Sequence, residues 1–83
     1  MKIGIKLNSK FYSVEQNLKC FNNPIFIDWD LPFLPREEEL FDCDTIIGDK
    51  MPNYDTGLAW DVYLIEYTAK NGKITPILNL RGE

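Results

Sequence analysis

The sequence predicts a mainly β or small α+β fold, built as a compact antiparallel sheet or a small barrel of four to five strands. Three observations lead to this prediction. Residues 60–80 form two apolar-rich runs around an Asn-Gly dipeptide, residues 2–7 alternate apolar and polar side chains, and residues 25–31 are rich in β-branched and aromatic residues. Segments with helical features are few and short, so we expect at most one or two short helical turns.

The first strand is predicted over residues 2–7, where the apolar residues Ile3, Ile5 and Leu7 share one face. Gly4 lies on the other face and allows close approach of a neighbouring backbone. Alternation of this kind is typical of a strand with one buried side. We therefore expect one side of this strand to lie against the core.

A short helix is predicted over about residues 14–21, beginning with a capping box formed by Ser13 and Gln16. The apolar residues of this segment recur at helical spacing: Val14, Leu18 and Phe21. The run ends at Asn22-Asn23-Pro24. The alternative interpretation is a second strand over residues 11–15, paired with the first.

The middle of the chain predicts short elements separated by breaks. Residues 25–31 predict a strand with alternate residues on one side: Ile25, Ile27, Trp29 and Leu31. Two prolines then interrupt any regular element. Residues 36–40 are expected to form one helical turn, residues 44–49 a short strand, and residues 50–57 a loop.

The C-terminal hairpin is predicted in detail, because Asn71-Gly72 favours a type I′ turn and that turn sets the strand register. The predicted pairs are Lys70–Lys73, Ala69–Ile74, Thr68–Thr75, Tyr67–Pro76, Glu66–Ile77, Ile65–Leu78 and Tyr63–Leu80. One face would then be apolar: Tyr63, Ile65, Tyr67 and Ala69 against Ile74, Pro76, Leu78 and Leu80. Pro76 lacks an N–H and suits an edge strand or a place where pairing lapses. An SH3-like or OB-like small barrel would accommodate these elements.

Length and composition indicate one globular domain spanning residues 1–83, since 45% of the residues are hydrophobic and 13% are aromatic. The chain has no apolar run of about 18 residues and no signal-peptide core, so we expect no membrane association and a cytoplasmic protein. In that reducing compartment, Cys20 and Cys43 are expected to be free thiols.

The net charge of −4 is unevenly distributed. Residues 1–23 carry four lysines and one glutamate, and residues 70–83 carry three cations and one glutamate. Residues 24–69 carry eleven carboxylates and only two cations. If the first and last strands are neighbours, the molecule would have distinct basic and acidic sides.

Most catalytic and cofactor chemistry is disfavoured by residue content. Histidine is absent, which excludes serine-histidine and cysteine-histidine catalysis. The pairs Asp28/Asp30 and Asp42/Asp44 are best interpreted as solvated carboxylates, and the segment from Asp42 departs from a calcium loop at its fifth and sixth positions. No glycine-rich phosphate loop is present. We therefore expect no enzyme activity, no metal and no cofactor.

The favoured hypothesis is a small non-enzymatic protein-interaction module. An aromatic patch ringed by acidic residues would bind another protein with a basic surface. Direct nucleic-acid binding is disfavoured because the lysines and arginines are scattered among thirteen acids. The candidate partner-binding residues are Trp29, Trp60, Tyr54, Asp28, Asp30, Glu37, Glu38 and Glu39.

Two alternatives remain. The first is an acidic inhibitor that mimics nucleic acid and occupies the phosphate channel of a DNA- or RNA-handling host defence enzyme. A small, acidic, histidine-free chain of this kind suits a phage or mobile-element origin. The second is a self-associating structural protein, a homodimer formed through the edge around Pro76 or through the other face of the hairpin, which mixes polar and apolar residues such as Leu64, Glu66 and Thr68.

Overall fold

The computed structural model describes residues 1–83, which fold around one curled five-stranded sheet. Its strands are β1 (Lys2–Ser9), β2 (Ile25–Asp28), β3 (Leu40–Phe41), β4 (Trp60–Lys70) and β5 (Lys73–Gly82). Their spatial order is β2-β1-β5-β4-β3. The predicted mainly β fold is confirmed. The sheet is mixed rather than wholly antiparallel, because β1 and β5 run parallel.

Two α-helices and one 3₁₀ helix accompany the sheet: α1 (Val14–Asn22), α2 (Cys43–Ile46) and a 3₁₀ turn (Gly48–Lys50). The longest of them has nine residues, and none has the length and the apolar run that a bilayer-spanning helix requires. The two cysteines are free and buried. The first and last strands are neighbours, which was the condition for separate basic and acidic sides. Three cations on these strands nevertheless pair with carboxylates of the acidic middle segment: Lys2 with Asp28, Lys6 with Glu66 and Arg81 with Asp61.

The predicted first strand is confirmed, and Ile3, Ile5 and Leu7 are fully buried in the core. Gly4 points to the other face of the sheet. A Cβ atom at this position would overlap Cδ1 of Ile77 on β5 and lie 3.1 Å from Cε1 of Phe26 on β2. Glycine therefore lets three strands pack closely at this point.

The hairpin register is confirmed from the Lys70–Lys73 pair to the Ile65–Leu78 pair. The predicted pairing of Tyr63 with Leu80 is wrong. A β-bulge between Val62 and Leu64 shifts the register, so that Val62 faces Leu80 and fills the core.

The apolar face of the hairpin extends beyond the core that covers it. Pro76, Leu78 and Leu80 are buried, whereas the residues nearer the turn are exposed: Tyr67, Ala69 and Ile74. Pro76 does not lie on an edge strand, because β5 lies between β1 and β4. Pairing of β5 with β1 begins only at Ile77, so pairing lapses where the N–H is missing.

The predicted helix and its capping box are confirmed, and the alternative strand over residues 11–15 is wrong. The helix buries Cys20 and leaves its larger apolar residues exposed: Val14, Leu18 and Phe21. The side-chain amide of Asn17 accepts from the backbone N–H of Ser9 at 3.0 Å and donates to its carbonyl at 2.9 Å. Asn17 thus continues the hydrogen bonding of β1 beyond the end of β2.

Three predicted elements of the middle segment are corrected. The strand predicted over residues 25–31 ends at Asp28. The helical turn predicted over residues 36–40 is wrong: residues 36–39 form a β-turn, in which Glu38 has a positive φ and the N–H of Glu39 donates to the carbonyl of Arg36 at 3.1 Å, and Leu40 begins β3.

The third correction concerns residues 44–49, predicted as a strand. Asp42 accepts a hydrogen bond from the N–H of Thr45 at 3.3 Å and so caps α2. The acidic pattern that begins like a calcium loop is therefore the start of a helix. A 3₁₀ turn follows from Gly48, and the predicted loop then continues to Gly57.

Candidate functional site

The strongest candidate site is residues 28–39, which we name the acidic loop. It carries five carboxylates and one guanidinium. Eleven of its residues connect β2 to β3 without regular structure. A connection of this length is well above the median of about four to six residues, and long ordered loops are often functional.

The acidic loop is fixed at its start by Trp29. The backbone N–H of Trp29 donates to the carbonyl of Met1 at 2.7 Å, and the N-terminal amine of Met1 donates to the carbonyl of Trp29 at 3.0 Å. The indole Nε1–H donates to the carbonyl of Phe33 at 2.8 Å. The indole ring also stacks on Phe41, with 6.2 Å between ring centroids.

The end of the acidic loop is fixed against β4. The N–H of Glu38 donates to the carbonyl of Val62 at 2.6 Å, and the N–H of Val62 donates to the carbonyl of Glu39 at 3.0 Å. Between the two ends, Leu34 packs against the core. The loop is therefore held at both ends and near its middle.

This anchoring leaves two large apolar side chains in solvent. Leu31 is 48% exposed and Phe33 is 64% exposed. The backbone carbonyl of Phe33 accepts from Trp29 while its ring faces outward, so the ring is presented from a fixed backbone. Phe33 was not among the sequence candidates, although its position between Pro32 and Pro35 indicated that it lies in a loop.

The carboxylates of the acidic loop fall into two groups. Asp28 pairs with Lys2 at 3.4 Å, and Glu39 pairs with Arg36 and accepts from its backbone N–H. The other three have no ion-pair partner in the structure: Asp30, Glu37 and Glu38. These three exposed carboxylates are free to pair with positively charged groups of another molecule.

Trp60, predicted as a partner-binding aromatic, lies in the core and is only 3% exposed. The charged neighbour Asp61 does not bring Trp60 to the surface, because adjacent residues on a strand point to opposite faces. Asp61 pairs with Arg81 on the outer face at 2.9 Å. The burial of Trp60 removes it from the set of side chains that a partner can contact.

Tyr54 is half-buried and contacts α1 rather than the acidic loop. Its hydroxyl lies 3.1 Å from Sγ of Cys20, and its ring packs edge-on against Tyr12 at 5.0 Å between centroids. Burial, with the hydrogen bond to Cys20, raises the pKa of Tyr54 to about 12. The structure therefore groups Trp29 with the acidic candidates and separates both from Tyr54 and Trp60.

The thiol of Cys43 is buried among apolar core residues. Burial, together with the nearby carboxylate of Asp55, raises the pKa of the Cys43 thiol to about 12. Cys43 therefore keeps its proton near neutral pH, whereas the thiolate is the nucleophilic form. The structure contains no group of three or more Cys, Asp or Glu side chains suited to holding a metal ion.

Comparisons with known proteins do not identify a relative of this chain. No family model, no curated protein and no solved structure matches the chain. Its function is therefore inferred from the anchoring, exposure and charge of the acidic loop.

Proposed function

We propose that this chain is a small non-enzymatic protein-interaction module that binds a partner with a basic surface through its acidic loop. One observation carries the proposal: Phe33 is 64% exposed on a loop anchored at both ends and surrounded in sequence by carboxylates without partners. An aromatic side chain with a rim of charge is typical of a binding surface.

The anchoring of the loop supports binding on energetic grounds. Ordering a flexible segment at an interface costs free energy, about 0.5–1.5 kcal/mol for each immobilised side chain. Trp29 and Glu38 already fix the backbone on either side of Phe33. A partner that buries the Phe33 ring would therefore spend little free energy on ordering the loop.

The charge of the loop supports a basic partner. Asp30, Glu37 and Glu38 are exposed and have no ion-pair partner. Complementary charge at an interface rim increases the association rate and makes it sensitive to salt. A partner with lysines or arginines around an apolar pocket would match both the charges and the Phe33 ring.

A pair of phenylalanine variants tests the proposal. Phe33→Ala is compared with Phe11→Ala, since Phe11 is equally exposed, at 62%, but lies near the start of α1. Tagged proteins capture partners from lysate of the source cell, identified by mass spectrometry. We expect one protein to be retained by the parent and Phe11→Ala but lost by Phe33→Ala, a change of about 2 kcal/mol or more. If every captured protein tolerates Phe33→Ala, the proposal is wrong.

A second set of variants separates this proposal from nucleic-acid mimicry. The triple variant Asp30→Asn/Glu37→Gln/Glu38→Gln removes the unpaired charges of the loop. Its control removes three exposed carboxylates elsewhere: Glu15→Gln/Asp44→Asn/Asp49→Asn. We expect the loop variant to slow association and flatten its salt dependence. Capture of a nucleic-acid enzyme that depends on the charges but not on Phe33 would instead support the mimic.

A further inference from the structure

A cleft outside the acidic loop lies between α1, the β1–β2 edge of the sheet and residues 50–54. Its volume is about 340 Å³, which is within the range of small-molecule sites. The floor is formed by the core side chains Ile5 and Leu7, with Ile25 beside them. At about 30 Å³ for each water molecule, this space corresponds to about ten water-sized groups.

The cleft exists because of how α1 meets the sheet. β2 pairs with β1 only as far as Ile5, and Asn17 of α1 takes over the hydrogen bonding at Ser9. This docking turns the small Cys20 side chain towards the sheet and leaves Leu18 exposed. The volume that a larger side chain at position 20 would fill stays open.

The charge of the lining is opposite to that of the whole molecule. Lys19 and Lys50 both line the cleft, together with the amide of Asn53, and no carboxylate lines it. Neither lysine has an ion-pair partner. The Lys50 ammonium donates only to the neutral carbonyl of Phe26, at 3.0 Å, so its charge is not compensated.

We propose that this cleft binds a small organic carboxylate with an apolar chain of about eight carbons. The carboxylate would accept hydrogen bonds from the Lys19 and Lys50 ammonium groups at the rim, which are charge-assisted and stronger than neutral ones. The apolar chain would lie on the half-buried side chains of Ile25, Pro52 and Tyr54, above the fully buried Ile5 and Leu7, and displace water from them. This binding site is separate from the acidic loop and independent of the function proposed for it.

Octanoate is a suitable probe, because its ten non-hydrogen atoms match the volume of the cleft. In a titration followed by ¹H–¹⁵N NMR, we expect a Kd of about 1 mM and shifts at Lys19, Cys20, Ile25 and Asn53. Octanol, which has the same chain without the charge, should bind about tenfold more weakly. Equal binding of octanol and octanoate would overturn the anion site, as would shifts confined to exposed Phe11, Val14 and Leu18.

Two variants test the two parts of the site. Lys19→Gln/Lys50→Gln should weaken octanoate binding about tenfold and leave octanol binding unchanged, while Lys70→Gln/Lys73→Gln serves as the charge-matched control. Cys20→Leu places a larger side chain in the cleft and should weaken binding of both compounds with the lysines in place. If Cys20→Leu does not fold, the lysine variants still test the proposal. Unchanged octanoate affinity in Lys19→Gln/Lys50→Gln would overturn the proposal.

Discussion

The indole ring of Trp60 lies directly against Gly82, its cross-strand neighbour in the β4–β5 pair. A Cβ atom at position 82 would lie 2.7 Å from both Cη2 and Cζ3 of the ring, closer than carbon atoms normally approach. Ser9 reinforces the contact, because its hydroxyl donates to the Gly82 carbonyl at 2.8 Å. A glycine at position 82 thus makes room for the largest side chain of the core.

Gly82→Ala should therefore lower the free energy of unfolding by about 1–3 kcal/mol, because the added methyl group must displace a buried ring. Urea denaturation measures this change. Trp60→Phe shortens the ring and supplies the control in a double-mutant cycle. We expect the double variant to be more stable than the sum of the single effects predicts, by about 0.5–3 kcal/mol. Additive effects would mean that the Trp60 ring does not cause the loss of stability in Gly82→Ala.

Asn17→Ala should lower the free energy of unfolding by about 1–3 kcal/mol. The change leaves the N–H of buried Ser9 without the partner that Asn17 provides and removes one of two donors to its carbonyl, which keeps the N–H of Tyr12 at 3.1 Å. Asn22→Ala, at the exposed end of the same helix, is the matched control and should change stability by less than about 0.5 kcal/mol. Equal effects of the two variants in urea denaturation would show that α1 does not depend on this pairing.

Local chemistry made several elements predictable from sequence. The alternation in β1, the capping box at Ser13 and the Asn71-Gly72 turn each fix backbone geometry through neighbouring residues. The rotation of α1 was not predictable in this way. It depends on the contact between Asn17 and Ser9, which turns Cys20 inward instead of Leu18.

The candidate site was predictable in part for the same reason. The positions of the acidic residues in the sequence were enough to identify the charge of residues 28–39. The bulge at Tyr63 and the burial of Trp60 depend on packing between β4 and β5, which no short pattern encodes. The outward orientation of Phe33 likewise depends on long-range anchoring of the loop to Met1, Phe41 and Val62.

Stability should fall at alkaline pH, with a contribution from Cys43. Burial raises the pKa of its thiol from an ordinary 9.0 to about 12. The unfolded chain loses this proton from about pH 9 while the folded chain keeps it, so the stabilisation is complete below about pH 9 and is lost as pH rises towards 12. Between the pKa values of the unfolded and folded chains, each group whose pKa is raised by folding lowers the free energy of unfolding by up to about 1.4 kcal/mol per pH unit.

Urea denaturation between about pH 7 and pH 11 measures this slope. Cys43→Ala should reduce the slope of the free energy of unfolding against pH by the amount that corresponds to about one released proton, whatever its effect on stability at neutral pH. The slope should not vanish, because burial also raises the pKa of Tyr12 and Tyr54. An unchanged slope in Cys43→Ala would show that the thiol has the same pKa in the folded and unfolded chains.

Trp29→Phe should loosen the acidic loop without unfolding the protein. The variant removes the hydrogen bond from Nε1 to the Phe33 carbonyl but keeps an aromatic ring beside Phe41. Because this hydrogen bond is exposed, its loss should cost about 1 kcal/mol or less in stability. Backbone amides of Leu31, Phe33 and Leu34 should exchange with solvent faster, as measured by hydrogen exchange.

Trp29→Phe should bind about three- to tenfold more weakly to the partner whose capture depends on Phe33. The reason is that the loosened loop must then be ordered on binding. Tyr63→Phe is the control, since it also removes a polar atom from an exposed aromatic side chain, and the Tyr63 hydroxyl makes no hydrogen bond. It should change neither exchange nor affinity. If Trp29→Phe accelerates exchange but leaves affinity intact, the anchoring of the loop contributes nothing to binding, and Phe33 acts through its exposure alone.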